Sequence, residues 1–302
     1  GNCKSANENL GSIETYLGGR MKVEINDFSA GLRLDKNESL QGLNFASEIS
    51  NVDLSSGAIK AVDRLSELYL NGNNIDKILQ RAGQALDLVG GEIFFFKKFN
   101  EETGKSENKI VFFDSGFVGF YIDLNASSPR PVALGVSFTS RPKAINYKLN
   151  GEDVLIMASS TDYMVVWNGE DAPEIILDAP KILSMDLHYE RLFAVSADGD
   201  GTTLKFSDDL DPTNWSESLS DAGFISFADE RGKLLKVVSF NDYLYVFRER
   251  GITRVYANTA HQSSFYVNHL FVSGGRINPD TISVCGDRIV FMATDGFYVF
   301  DG

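Results

Sequence analysis

The sequence runs to 302 residues, 43% of them apolar and 12% aromatic, which is enough to bury a large core and unlike a disordered chain. The formal charge is −14 at pH 7, from 42 acidic and 28 basic side chains. With no Lys/Arg-rich run to offset it, that balance argues against nucleic acid as a main ligand and against an anionic membrane surface. No stretch approaches the roughly 18 consecutive apolar residues of a membrane helix. Two cysteines, Cys3 and Cys285, are too few for a disulfide framework or a cysteine zinc site, and this usage fits a reducing compartment.

Residues 1–20 are polar and without clean periodicity. They read as a flexible tail, with Gly1 left by tag removal and Met21 as a native start, and are set aside from the fold. From Met21 the text alternates apolar and polar residues, and then offers two short strands around a turn at Ser55-Ser56-Gly57. Ile75, Ile78, Leu79, Ala82 and Leu86 fall at helical spacing, so a short helix ending at Gly90-Gly91 is expected. Residues 21–88 are thus an extended arm with a hairpin and a short helix, and 89–302 form the main domain.

That domain repeats. Five segments share one layout of apolar strand, tight polar turn, second apolar strand, turn with Gly or Asp, and third strand. In the clearest copy the strands Val237-Val238, Leu244–Phe247 and Ile252–Tyr256 are joined at Asn241-Asp242 and Arg250-Gly251. In other copies the turns are Gly286-Asp287 with Asp295-Gly296, Gly151-Glu152-Asp153 with Thr161-Asp162, and Tyr189-Glu190. Such pairs tolerate positive φ and so suit hairpin turns. The earliest copy is widened by a polar insertion, NEETGKSEN. A recurrence near 45 residues is the period of four-stranded propeller blades. A meander cannot cover both its faces alone, whereas blades stacked about an axis cover one another. The expected fold is therefore an all-β propeller of about five four-stranded blades with an N-terminal extended arm. The last copy has only three strands. Either a strand from Lys22–Leu34 or Ala58–Val62 closes the ring, or the chain is a fragment of a larger propeller.

Two stretches carry a resemblance. DFSAGLRLDKNE followed by SNVDLSSGAIKAVDRL resembles the entry arm of bacteriophage tail and neck propeller proteins. FSDDLDPTNWSES, GFISFADERGKLLKVVSFNDYLYVFRERGITRVYA and GGRINPDTISVCGDRIVFMATDGFYVFDG resemble prophage-encoded structural proteins. The resemblance covers most of Met21–Gly302 and implies a non-catalytic virion component of the tail-nozzle or neck-stabilising type. Its implied partners are other tail, neck or portal-associated proteins, with oligomers in the assembled particle. Its implied location is the bacterial cytoplasm before assembly and the virion after it. No family catalytic residue maps onto this sequence.

The search for chemistry is thin. His188, His261 and His269 have no metal-type spacing, although His188 follows Asp186 on an apparent inner strand and could face the axis. Some five-bladed propellers hydrolyse glycosides with axial carboxylates, for which Asp186, Glu190 and Asp295 are the candidates. A ligand- or sugar-binding propeller, with or without that activity, is the alternative reading. Glu190 and Asp295 stand where the repeat places acidic turn residues for backbone reasons. Asp198-Gly199-Asp200-Gly201 alternates carboxylates as calcium loops do, yet lacks the later acidic ligand and reads as a hairpin tip. Trp215 follows the turn formers Asp211-Pro212-Thr213-Asn214 and is expected to plug a blade junction rather than await a partner. No phosphate-binding glycine loop is present, and no catalytic, cofactor or metal residue is assigned.

Overall fold

The computed structural model describes residues 90–100, 103–258, 265–272 and 274–302, with six short strand segments before residue 90. The chain divides into two units, Gly1–Leu68 and Tyr69–Gly302. In the first, β1 (Ile13–Thr15) pairs antiparallel with β2 (Met21–Val23), and β3 (Val52–Asp53) with β4 (Lys60–Ala61). The expected turn at 55–57 and the expected helix over 75–89 lie outside the described residues. The second unit opens with the paired strands β5 (Tyr69–Leu70) and β6 (Asn73–Asn74).

The remaining strands form five separate antiparallel meanders. Blade 1 comprises β7 (Glu92–Asn100), β8 (Lys105–Phe113), β9 (Val118–Asp123) and β10 (Pro131–Ser137). Blade 2 comprises β11 (Lys143–Leu149), β12 (Glu152–Ala158), β13 (Met164–Trp167) and β14 (Glu174–Ile176). Blade 3 comprises β15 (Ile182–His188), β16 (Arg191–Ser196), β17 (Thr203–Phe206) and β18 (Gly223–Ser226). Blade 4 comprises β19 (Leu234–Phe240), β20 (Tyr243–Arg248), β21 (Gly251–Ala257) and β22 (Phe265–Val272). Blade 5 has three strands, β23 (Ser283–Cys285), β24 (Arg288–Ala293) and β25 (Gly296–Phe300), preceded by a 3-10 turn at Pro279–Thr281. The chain is an all-β propeller-type assembly of about five blades, as the repeat predicts.

The hairpins follow from the turn chemistry. Asn150 and Gly151 take φ of 50° and 88°, and Tyr189 and Glu190 take 49° and 58°. Two consecutive positive φ values give the turn whose twist matches the flanking strands. The insertion in the first copy does not loop out. Lys98 pairs with Glu107 and Asn100 with Lys105, so it lengthens the β7–β8 hairpin beyond its neighbours.

Side chains from facing blades fill the spaces between them. Phe96 and Phe113 of blade 1 pack with Leu155 and Trp167 of blade 2. Ile156 and Val166 of blade 2 meet Leu192 and Ala194 of blade 3. Phe193 and Phe206 of blade 3 join Val237 and Val246 of blade 4, and Phe247 of blade 4 sits edge-on to Phe291 of blade 5. Each such side chain contributes about 1.5–3 kcal/mol on burial. A second strand flanked by a blade on each side is covered on both faces, so β16 is buried at every position and β12 and β20 nearly so. β24 differs: its burial alternates, with Ile289, Phe291 and Ala293 covered and Val290 and Met292 only partly so. Among the described residues, none covers the far side of blade 5 and no strand pairing closes a ring from blade 5 to blade 1. The strands β2 and β4, from the stretches expected to supply a closing strand, pair with β1 and β3 instead.

Candidate functional site

Because each blade is its own sheet, the innermost strands β7, β11, β15, β19 and β23 are edge strands whose outward N–H and C=O groups need partners. Polar side chains of adjoining blades supply them. The Asn146 amide donates to the Phe95 carbonyl at 2.8 Å, and Asp153 accepts from the Phe99 N–H at 2.7 Å, joining blades 1 and 2. Ser184 accepts from the Val237 N–H at 3.2 Å and Asp186 from the Ser239 N–H at 2.7 Å, joining blades 3 and 4. Lys236 donates from Nζ to the Ile282 carbonyl at 2.7 Å, joining blades 4 and 5.

The first strands of blades 1 to 4 and the 3-10 turn before blade 5 surround one cavity of about 370 Å³. Blade 1 gives Glu92 and Phe94, blade 2 Lys143, blade 3 Ser184, blade 4 Lys236, and the 3-10 turn before blade 5 Asp280. Arg141, on the connection into blade 2, also lines it and pairs with Glu92. Burial pushes the Lys236 ammonium below its ordinary range, and repulsion from Lys143 adds to this against the pull of Asp280 and Asp186. This axial cavity is the candidate site. Sequence reasoning misses it because its residues differ in type from blade to blade. Their one common signal is position, at or just before the start of the first strand in each copy.

The candidate residues named from the sequence fall elsewhere. Asp186 binds the backbone: one oxygen accepts from Ser239 and the other from the Leu187 N–H at 2.9 Å. Burial raises its pKa despite these bonds and the nearby Lys236. Glu190 sits in the first turn of blade 3 and Asp295 in the second turn of blade 5. In a meander those turns lie at opposite strand ends, so Asp295 is held apart from Asp186 and Glu190, and both oxygens of Asp186 are taken by backbone N–H groups. Asp295 accepts from the Tyr298 hydroxyl at 2.9 Å.

His188 reaches Ser239 Oγ through Nδ1 at 2.8 Å and packs on Tyr189, and burial holds its pKa below the usual value against the opposing pull of Asp242. It does not line the cavity. His269 on β22 bonds Thr253 Oγ1 at 3.0 Å, and His261 lies outside the described residues. In the hairpin tip, Asp200 accepts from the Thr202 N–H and hydroxyl and closes the turn, while Asp198 accepts from the Lys181 N–H and ties the turn to the segment entering blade 3. Trp215 is buried between blades 2 and 3, with its indole N–H donated to the Pro212 carbonyl at 3.0 Å. Cys285 is an exposed free thiol on β23. Among the described residues no cluster of His, Cys, Asp and Glu has metal-holding geometry, and no helix is long and apolar enough to cross a membrane.

No family model matches the chain, and no curated protein matches its sequence. Solved structures similar to it include the beta-propeller domain of Cps50 (Swd1) from Myceliophteria thermophila, at 10% identity and a TM-score of 0.42, over 70% of this chain and 85% of that one. BBS1N, solved in complex with ARL6DN, is 9% identical with a TM-score of 0.42, over 70% of this chain and 62% of that one. BamB from Moraxella catarrhalis is 13% identical with a TM-score of 0.41, over 63% of this chain and 53% of that one. The chain therefore spans less than two thirds of the length of the last two. These likenesses assign no activity, and the fold rests on the chain's own strand topology.

Proposed function

We propose that the chain is a non-catalytic docking scaffold, a propeller whose surfaces hold neighbouring structural proteins in a bacteriophage tail or neck. The observation that carries docking is the far face of blade 5. There Val290 pairs with Val299 and Met292 with Phe297, making one apolar patch, and Phe297 and Val299 remain 83% and 60% exposed. A second strand as apolar as Ile289–Ala293 is suited to cover on both sides, and the described residues cover it on one. The tail-and-neck reading is supported by the resemblance of the arm and of the last two blades to prophage structural proteins.

Such a protein resides in the bacterial cytoplasm until assembly and in the virion afterwards. The test is mass spectrometry of particles purified after prophage induction in the source organism. Recovery of the chain in virion-density fractions is the expected result, and its absence from intact tailed particles would overturn the reading. A ligand-binding propeller is the second reading, favoured by the charged axial cavity.

A further inference from the structure

We propose that the axial cavity is a binding site for a small oxyanion of the phosphate or sulfate type, held between Lys143 and Lys236. Three cations and two carboxylates line the cavity. Arg141 and Glu92 neutralise one another in an ion pair. Asp280 is then the one acidic lining residue set against two lysines, so the lining carries one excess positive charge in a chain of net charge −14, while Asp186, which also attracts Lys236, is held by two backbone N–H groups. Lys236 spends one N–H on the Ile282 carbonyl and keeps two for a ligand. The Lys143 ammonium has no hydrogen-bond or ion-pair partner among the described residues, and it stands close enough to Lys236 for the two charges to repel.

Holding two ammonium groups in one cavity is unfavourable when the site is empty, and a doubly charged anion between them removes that cost. Ser184 accepts from Val237 and still has its hydroxyl proton to donate. Phe94, Leu183 and Leu235 line the same space, and apolar walls strengthen the attraction by lowering the local dielectric. The volume suits a phosphate with a few waters. The site does not depend on the docking reading, since it is built wholly from the innermost strands and their connections.

The test is titration of the wild-type chain with inorganic phosphate and with sulfate at constant ionic strength, with chloride as the control salt. Calorimetry gives the affinity, and methyl resonances of Leu183, Met185 and Leu235 report the location. Saturable binding with shifts at these methyls is expected. Lys143→Met and Lys236→Met should each weaken it by at least about tenfold, the loss that follows removal of one charged donor, while Lys97→Met on the exposed face of β7 leaves it unchanged. Lack of saturation at millimolar phosphate, equal competition by chloride, or shifts confined to residues outside the cavity would each overturn the proposal. The methyl shifts of the wild-type chain decide the matter even if Lys236→Met fails to fold.

Discussion

At the scale of single residues, the most consequential side chain is Arg248, at the end of β20. It is fully buried, donates to the Phe227 and Gly232 carbonyls and to Asp229 Oδ2 at 2.8 Å, and forms an ion pair with Asp229. One guanidinium therefore fastens the connection from blade 3 to the strands of blade 4. Arg191 acts within blade 3, donating to the carbonyls of Ser207 and Asp221 at the two ends of the long β17–β18 connection. Burial alone would raise the Asp229 pKa. The bonds from Arg248 and the Arg231 N–H, together with both guanidinium charges, outweigh it and bring the value down from 3.8 to about 2. A carboxyl depressed on folding stabilises the native state above its unfolded pKa, and that contribution is lost as pH falls through the folded value. Stability should therefore drop between about pH 4 and pH 2 in the wild type. Asp229→Asn should remove this component of the acid sensitivity. It should also cost about 3–5 kcal/mol at neutral pH, because Arg248 is left buried without a counter-charge. Denaturant midpoints measured against pH check both outcomes.

At the scale of elements, a side chain of the second turn binds the chain segment entering the blade in blades 2, 3 and 5. Asp162 accepts from the Thr139 N–H at 2.8 Å, Asp198 from the Lys181 N–H at 3.1 Å, and Thr294 Oγ1 from the Arg276 N–H at 3.0 Å. This recurring backbone task explains the polar residues of these turns without catalysis. Asp162→Ala should destabilise the protein by about 1–3 kcal/mol through the orphaned donors of Thr139 and Ser159, measurable as a lowered denaturant midpoint. Trp215 serves packing in the same way, on a turn that folds it into the seam between blades 2 and 3. Trp215→Ala should cost about 3–5 kcal/mol through the lost burial and the cavity left behind. Calorimetric unfolding would show this, and a change within 0.5 kcal/mol (about the scatter for surface sites) would contradict the plug.

At the scale of the whole molecule, the buried clusters are four seams closed by adjoining blades and a smaller one of Ile110, Phe112, Phe120 and Ile122 on blade 1, and stability in such an array is close to a sum of unit and interface terms. That series leaves two end surfaces, the far face of blade 5 and the far face of blade 1, where Ile93 and Phe95 of β7 are exposed. Replacing Phe297 with Asp and Val299 with Thr should leave folding stability within about 0.5 kcal/mol, since both side chains are exposed. The same double change should abolish association with the docking partner and lower any concentration-dependent self-association. Light scattering and pull-down from assembled particles test the two effects, and unaltered association would place docking on another surface.

The strand-turn-strand layout was legible because hairpin chemistry is local. Tyr189-Glu190 and Asn241-Asp242 announce their turns within a few residues, whereas the turn expected at Gly151-Glu152-Asp153 falls at Asn150-Gly151, with Glu152 already in β12. The five-fold repeat then led to blades, because a meander of this composition has no other economical way to cover both faces. The sequence by itself thus determined the elements, their order and their class of packing. Tertiary structure alone decided which charges meet. Lys143, Lys236 and Asp280 are far apart in the chain and obey no spacing rule, and only the convergence of the first strands brings them to one cavity. It likewise turned Asp186 from a candidate acid into a backbone ligand, and Trp215 from one of two readings into a plug. The reason is physical: backbone turns are set by neighbouring φ and ψ, whereas the energy of a charge or a large ring is set by whatever non-local surface closes around it.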